Sequence, residues 1–143
     1  MQKGLLDLHN LIRWIILILL VINILKNYMD IKKPFAKIHK KLGLWLMICA
    51  HTTLLVGLIL LGFQWVNLPS NINVMTNPAY RFIFVEHPVG MIIAIILITI
   101  GKGSAKKNIS DIKKHKRSAN LYLIALIIIM ASIPWNAPMI PGM

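Results

Sequence analysis

Five histidines are the residues of this sequence best suited to do chemistry: His9, His39, His51, His87 and His115. In a strongly apolar chain an imidazole can ligate a metal or a haem iron, relay a proton, or sit solvated at an interface. His87 is the sharpest of the five. It lies in FIFVEHPVGMIIAIILITIG, residues 82–101, between Glu86 and Pro88, and ionisable groups inside an apolar segment are costly enough to mark a site. A haem with two axial histidines takes one imidazole from each side of a flat macrocycle, so its ligands must come from different helices at matching depth. At about 1.5 Å of rise per residue, His9 and His87 match near one end of their segments, and His39 and His115 match near the other. His51 stands near the middle of its segment, about 15 Å deeper than His115 by the same rise. It could instead approach His9 and His87, about two turns away, if its helix shifts or tilts. His9, His51, His87 and His115 are therefore candidate iron ligands, with His39 the alternative to His51 on the second segment.

Neighbouring residues add to this. Arg13, one turn after His9, could neutralise a haem propionate through its guanidinium fork, or pair with Glu86 to hold the first and third segments together. Gly90, Gly43 and Ala119 each follow a histidine by about one turn on the same face, where a small residue lets a flat ring or a neighbouring helix come close. The methionines, such as Met47, Met91 and Met130, read as packing. Cys49 is the only cysteine, so no disulfide can form within the chain and a Cys-x-x-Cys-His haem attachment is absent; any haem must be held non-covalently. No nucleophile–base set, phosphate loop or carboxylate pair is visible, which argues against a self-contained hydrolase.

The elements that must position these residues follow from composition. The chain has 143 residues, 57% of them hydrophobic, and a mean hydropathy of +0.71; that is too apolar for an ordinary soluble domain and fits one integral membrane domain over residues 1–143. Its net charge of +12 would suggest nucleic acid in a soluble protein, so the placement of charge decides. Lys26, Lys32, Lys33, Lys37, Lys40 and Lys41 cluster in one connector, and Lys102, Lys106, Lys107, Lys113, Lys114, Lys116 and Arg117 in another. Only Lys3, Arg13 and Arg81 of the 16 basic residues lie elsewhere. This is the positive-inside pattern of a multi-pass protein; it argues against nucleic acid and makes anionic lipid head groups the expected neighbours.

Four apolar segments, at about residues 5–25, 42–63, 82–101 and 119–135, are expected to form an all-α four-helix transmembrane bundle. With both basic connectors on the cytoplasmic side, the orientation is N-out and C-out. The segment Gln64 to Arg81, rich in Asn and Pro, reads as an irregular outer loop, and Trp65 and Trp135 as interface residues. Pro34 is expected in a first helical turn, Ser110 as a helix cap, and Pro88 in the first turns of the third helix, where a missing donor costs little.

His87-Pro88-x-x-Met91 opening a membrane helix, followed by a basic connector and a second histidine, resembles the first helical hairpin of the ascorbate-type transmembrane di-haem cytochromes b. That resemblance covers about 30 residues, and this chain departs from it by its four helices and short connector. It implies two haems, each held by histidines from alternate helices, with His87 paired to His9 of Leu8-His9-Asn10 and His115 to a histidine of the second helix. Most of the chain is also similar to small four-span bacterial membrane proteins labelled cytochrome B, through Gly4-Leu5-Leu6 to Arg13-Trp14, Met47 to Leu61 around His51, Glu86-His87-Pro88, Lys114-His115-Lys116 and Ile133-Pro134-Trp135. This second resemblance implies His51 as the second-helix residue that matters.

The expected function is a b-type cytochrome of the bacterial cytoplasmic (inner) membrane. One or two haems b would carry electrons between a quinol or small reductant and a partner protein, as an electron-transfer protein or redox subunit, alone, as a homo-oligomer or within a complex. The alternatives are a non-haem accessory subunit of a larger membrane complex, and a proton or metal-ion conductor lined by Glu86, His87, His9 and His51.

Overall fold

The computed structural model describes residues 2–133, and its regular structure among them is entirely helical: α1 (Gln2–Met29), α2 (Lys37–Val66), α3 (Pro78–Arg81), α4 (His87–Gly103) and α5 (Asp111–Ser132). A π-helical turn, Phe82–Glu86, joins α3 and α4 into one continuous span. Three helical spans, Lys3–Met29, Lys37–Val66 and Pro78–Lys106, are long and apolar enough to cross a membrane. The expected interface residue Trp135 and the proline-rich tail lie outside the described residues.

Each of these three spans outruns the apolar segment read from the sequence, because buried polar residues continue the packed face beyond the apolar run. On α1 one stripe at helical spacing carries Ile12, Ile16, Leu20 and Ile24 and then Asn23 and Asn27, all buried. The third span begins at Pro78, not Phe82. Asn77 caps it by accepting from the Tyr80 N–H, with Pro78 in the first turn. The expected loop is thus shorter than Gln64 to Arg81, since both its ends are helical. Pro34 does not start α2. Ala36 is its N-cap, and the Ala36 N–H donates to Nδ1 of His39 at 3.0 Å, so a histidine closes the first turn. Ser110 does cap α5, accepting from the Lys113 N–H.

The four long helices form a square in which α1 and α4 each pack against both α2 and α5. Consequently α1 faces α4 across one diagonal, and α2 faces α5 across the other. The centre is apolar and tight: Leu20, Leu46, Ala50, Ala94, Ile98 and Ala125 are fully buried. Tyr122 fits between α2 and α4 because both offer glycine. A Cβ on Gly43 would stand 2.9 Å from its hydroxyl, and one on Gly101 2.8 Å from its ring. The core separates two polar ends, a terminal end where α1 begins and α5 finishes, and a basic end where the lysine-rich connectors lie.

Candidate functional site

At the terminal end, His9 on α1 and His87 on α4 meet across a diagonal, with ring centroids 6.3 Å apart and planes at 80°. The depth match expected from helix rise places these two rings together. His87 Nδ1 donates to the Ser132 carbonyl at 2.7 Å, which fixes the tautomer and leaves the Nε2 lone pair free. Gly90 makes that bond possible, since any Cβ there would run into the Ser132 side chain. The backbone before His87 is adapted too. Pro88 has no N–H and its ring crowds the carbonyl four residues back; the π turn absorbs this, with the His87 N–H reaching Phe82 O. Pro88 is therefore a helix-interior proline and not a first-turn one. Such π turns within α-helices are frequent at functional sites.

His9 rests on α2. Its Cε1 lies 3.4 Å from where a Cβ on Gly57 would stand, and its Nδ1 is 3.3 Å from Thr53 Oγ1. The hydrogen bonds described for both rings use Nδ1, so neither Nε2 is hydrogen-bonded among the described residues. The two histidines line a cavity of about 280 Å³, near the lower end of the range typical of ligand sites. It follows α2 from Ala50 to Gln64, about 21 Å at the helical rise. Ile16, Leu54, Met91 and Ile95 make its walls largely apolar, while Arg13 and Asn10 bring polarity from α1, Arg13 donating to Asn10 Oδ1.

No family model, curated protein or solved structure matches this chain. Its chemistry has to be argued from its own geometry.

The other expected residues fall elsewhere. Glu86 does not reach towards Arg13: it is exposed and pairs with Arg81 at 3.0 Å. His51 stays away from the cavity, exposed on the outer side of the α2–α4 seam, with Nε2 2.9 Å from Thr99 Oγ1. His39 and His115 do come together, across the other diagonal at the basic end, with centroids 4.5 Å apart and Phe35 against both rings. Each of their nitrogens lies within 3.0 Å of a protein partner. His39 Nδ1 accepts from Ala36 and its Nε2 lies 2.9 Å from Asp30 Oδ2. His115 Nδ1 lies 2.9 Å from Asn27 Oδ1, and its Nε2 3.0 Å from the Lys33 carbonyl. Asn27 already donates its amide to Asn23 O, so both partners of His115 are acceptors and a neutral ring can donate to one of them. Burial holds the His115 pKa below its ordinary value, against the pull of the Lys33 carbonyl and Asp30. Asp30 is held well below the usual carboxylate range, first by its hydrogen bond from Lys26 and then by that from His39.

Thr53, Gly57, Ser132, Asn27, Asp30 and Phe35 do not stand out in the sequence as site residues. A signal exists for two of them, since Asn23, Asn27 and Asp30 recur at helical spacing on the stripe that continues from Ile16 and Leu20. Gly90 and Gly43 do serve close helix contact, but the one histidine ring that meets a glycine among the described residues is His9, on Gly57.

Proposed function

We propose that this chain is a b-type cytochrome of the bacterial cytoplasmic membrane, with His9 and His87 as the axial ligands of one haem b. The observation that carries this is the diagonal pair: two imidazoles from facing helices, each with Nε2 not hydrogen-bonded among the described residues, at one largely apolar cavity. His9 and His87 would hold the haem iron between them; their ring centroids stand 6.3 Å apart. When bound, the haem would supply one-electron chemistry. The chain's own contribution is to hold and tune it. Ser132 orients His87, as outer partners of ligating histidines do. Gly57 gives His9 room, and Arg13, which donates to Asn10, brings positive charge to the cavity lining on the side where a propionate would lie. Apolar walls around the site exclude water, one of the levers on potential.

We also propose that α5 is the fourth crossing and that both chain ends lie outside, because thirteen of the sixteen basic residues gather at one end. A second haem finds less support, because both His39 nitrogens are hydrogen-bonded to the protein and both His115 nitrogens lie against protein oxygens. The conductor reading is weaker for another reason: Glu86 turns away to Arg81, and the core between the two ends is apolar. Purified protein should show a Soret band and a reduced α-band, both abolished by His87→Ala. A colourless preparation from haem-sufficient cells would overturn the assignment.

A further inference from the structure

His51 takes no part in the histidine pair at the cavity, and its surroundings are specific. The Thr99 hydroxyl has one proton and lies 2.8 Å from the Ile95 carbonyl, to which it can only donate. Towards His51 Nε2, 2.9 Å away, Thr99 Oγ1 must therefore accept. That places the ring proton on Nε2 and leaves Nδ1 an acceptor with no donor among the described residues, on an exposed side chain well inside the α2 span. Surrounded by hydrocarbon, an acceptor without a donor is costly.

The seam above it is apolar. Leu58 stands seven residues beyond His51 on α2, and Ile92 seven before Thr99 on α4, so each lies about two turns, or roughly 10 Å, along the same stripe. Leu58 (49% exposed) and Ile92 (40%) also line the cavity between His9 and His87, so the wall there is one side chain thick. Between them and His51 the surface is formed by Leu55 and Ile96, both exposed.

We infer that this α2–α4 seam binds a membrane-dissolved quinol, with His51 Nδ1 accepting a hydrogen bond from its phenolic hydroxyl. The occupant must dissolve in hydrocarbon, lie against an aliphatic strip and bring a hydroxyl donor to mid-span depth. Phospholipid acyl chains bring no donor there. A second copy presenting the same seam brings another His51 acceptor and Thr52, whose proton goes to the Ile48 carbonyl at 2.8 Å. The choice of a quinol among lipid-soluble hydroxyl compounds rests on the proposed cytochrome function.

The test uses the whole chain in detergent micelles and tetramethylhydroquinone as probe. Saturable binding is expected, with the dimethyl ether of the probe failing to bind. His51→Ala should weaken binding about tenfold or more, as for loss of one good hydrogen bond. Thr99→Val removes the interhelical bond but keeps Nδ1, and should bind the probe nearly as the parent does. Equal binding of the ether, or full binding by a folded His51→Ala protein, would overturn the inference; so would a His51→Ala protein that changes oligomeric state while binding the probe unchanged. If His51→Ala does not fold, the ether comparison on the parent protein decides. Absorbance spectra of the same samples separate the two ideas. Hydroxyl-dependent binding without a Soret band supports the seam and defeats the haem assignment, whereas a Soret band without such binding overturns the seam alone.

Discussion

The two histidine pairs are built alike and end differently. Each joins helices across a diagonal of the bundle, and each lies near one end of it. At the terminal end the rings are 6.3 Å apart, with glycine beneath one and beside the other, and a cavity between the helices. At the basic end they are 4.5 Å apart, capped by Phe35, and every ring nitrogen has a protein partner. What distinguishes the proposed ligand site from the cross-link is therefore the neighbours and not the histidines. Gly57 leaves room for His9 and Gly90 admits Ser132 to His87, whereas Asp30, Asn27 and the Ala36 N–H take up the ring nitrogens at the basic end.

The sharpest way to break this contrast is to remove one histidine from each pair. His87→Ala should eliminate haem absorbance. His115→Ala should leave it in place but lower stability, by about 1–3 kcal/mol for each buried acceptor left without a donor; thermal unfolding followed alongside the Soret band checks both. Loss of the Soret band in His115→Ala and its persistence in His87→Ala would reverse the roles of the two ends. A smaller effect is expected from Gly90→Ala. The new methyl group meets the Ser132 side chain, and relieving that overlap should cost about 1–3 kcal/mol. Because it pushes α5 from α4 and loosens the Ser132 carbonyl from His87, haem occupancy should fall with it. The matched control is Gly101→Ala, which crowds Tyr122 at a similar cost but should leave the spectrum of the folded fraction unchanged.

Much of this arrangement is legible in the amino-acid sequence. Long apolar runs and two lysine-rich connectors announce helices and their grouping, and helix rise alone pairs His9 with His87 and His39 with His115. Ser110 announces its own cap. Other features stay hidden because they depend on where helices begin and end. Hydropathy stops α1 near Leu25, so Asn27 and Asp30 fall outside the segment, although the helix runs on to Met29 and the turn that follows keeps Asp30 in the packed end. It starts the third helix at Phe82, so Pro88 looks harmless; only with a start at Pro78 does it become an interior proline requiring a π turn. Glu86 is open, by sequence, to a partner on another helix, yet Arg81 five residues earlier on the same span takes it.

Acid should act on the basic end, and the sign follows from Asp30. Its folded-state pKa lies below the unfolded value of about 4, because Lys26 and His39 hydrogen-bond to the carboxylate. Its stabilising contribution is thus complete above about pH 4 and is lost as pH falls through the depressed folded value. The difference in unfolding temperature between the parent and Asp30→Asn should stay constant from about pH 8 to 5 and shrink only in stronger acid. A difference that already vanished near pH 6 would mean that Asp30 is not the anion holding this end together.

The smallest expected effect sits back at the terminal end. Thr53 and His9 are 3.3 Å apart, beyond the usual length for such a bond, whereas the Ser132 carbonyl stands 2.7 Å from His87. Thr53→Val is close in shape and removes only the hydroxyl, so it should cost under about 1 kcal/mol and leave haem content unchanged. His9 is then held by packing on Gly57, and His87 by its hydrogen bond. Gly57→Ala tests the first half of that statement: a Cβ at 3.4 Å needs the imidazole to give only slightly, so the expected change is a modest spectral shift with little loss of haem. If Thr53→Val instead emptied the site while Gly57→Ala did not, the weaker hydrogen bond, and not the glycine contact, would be what sets the His9 ring.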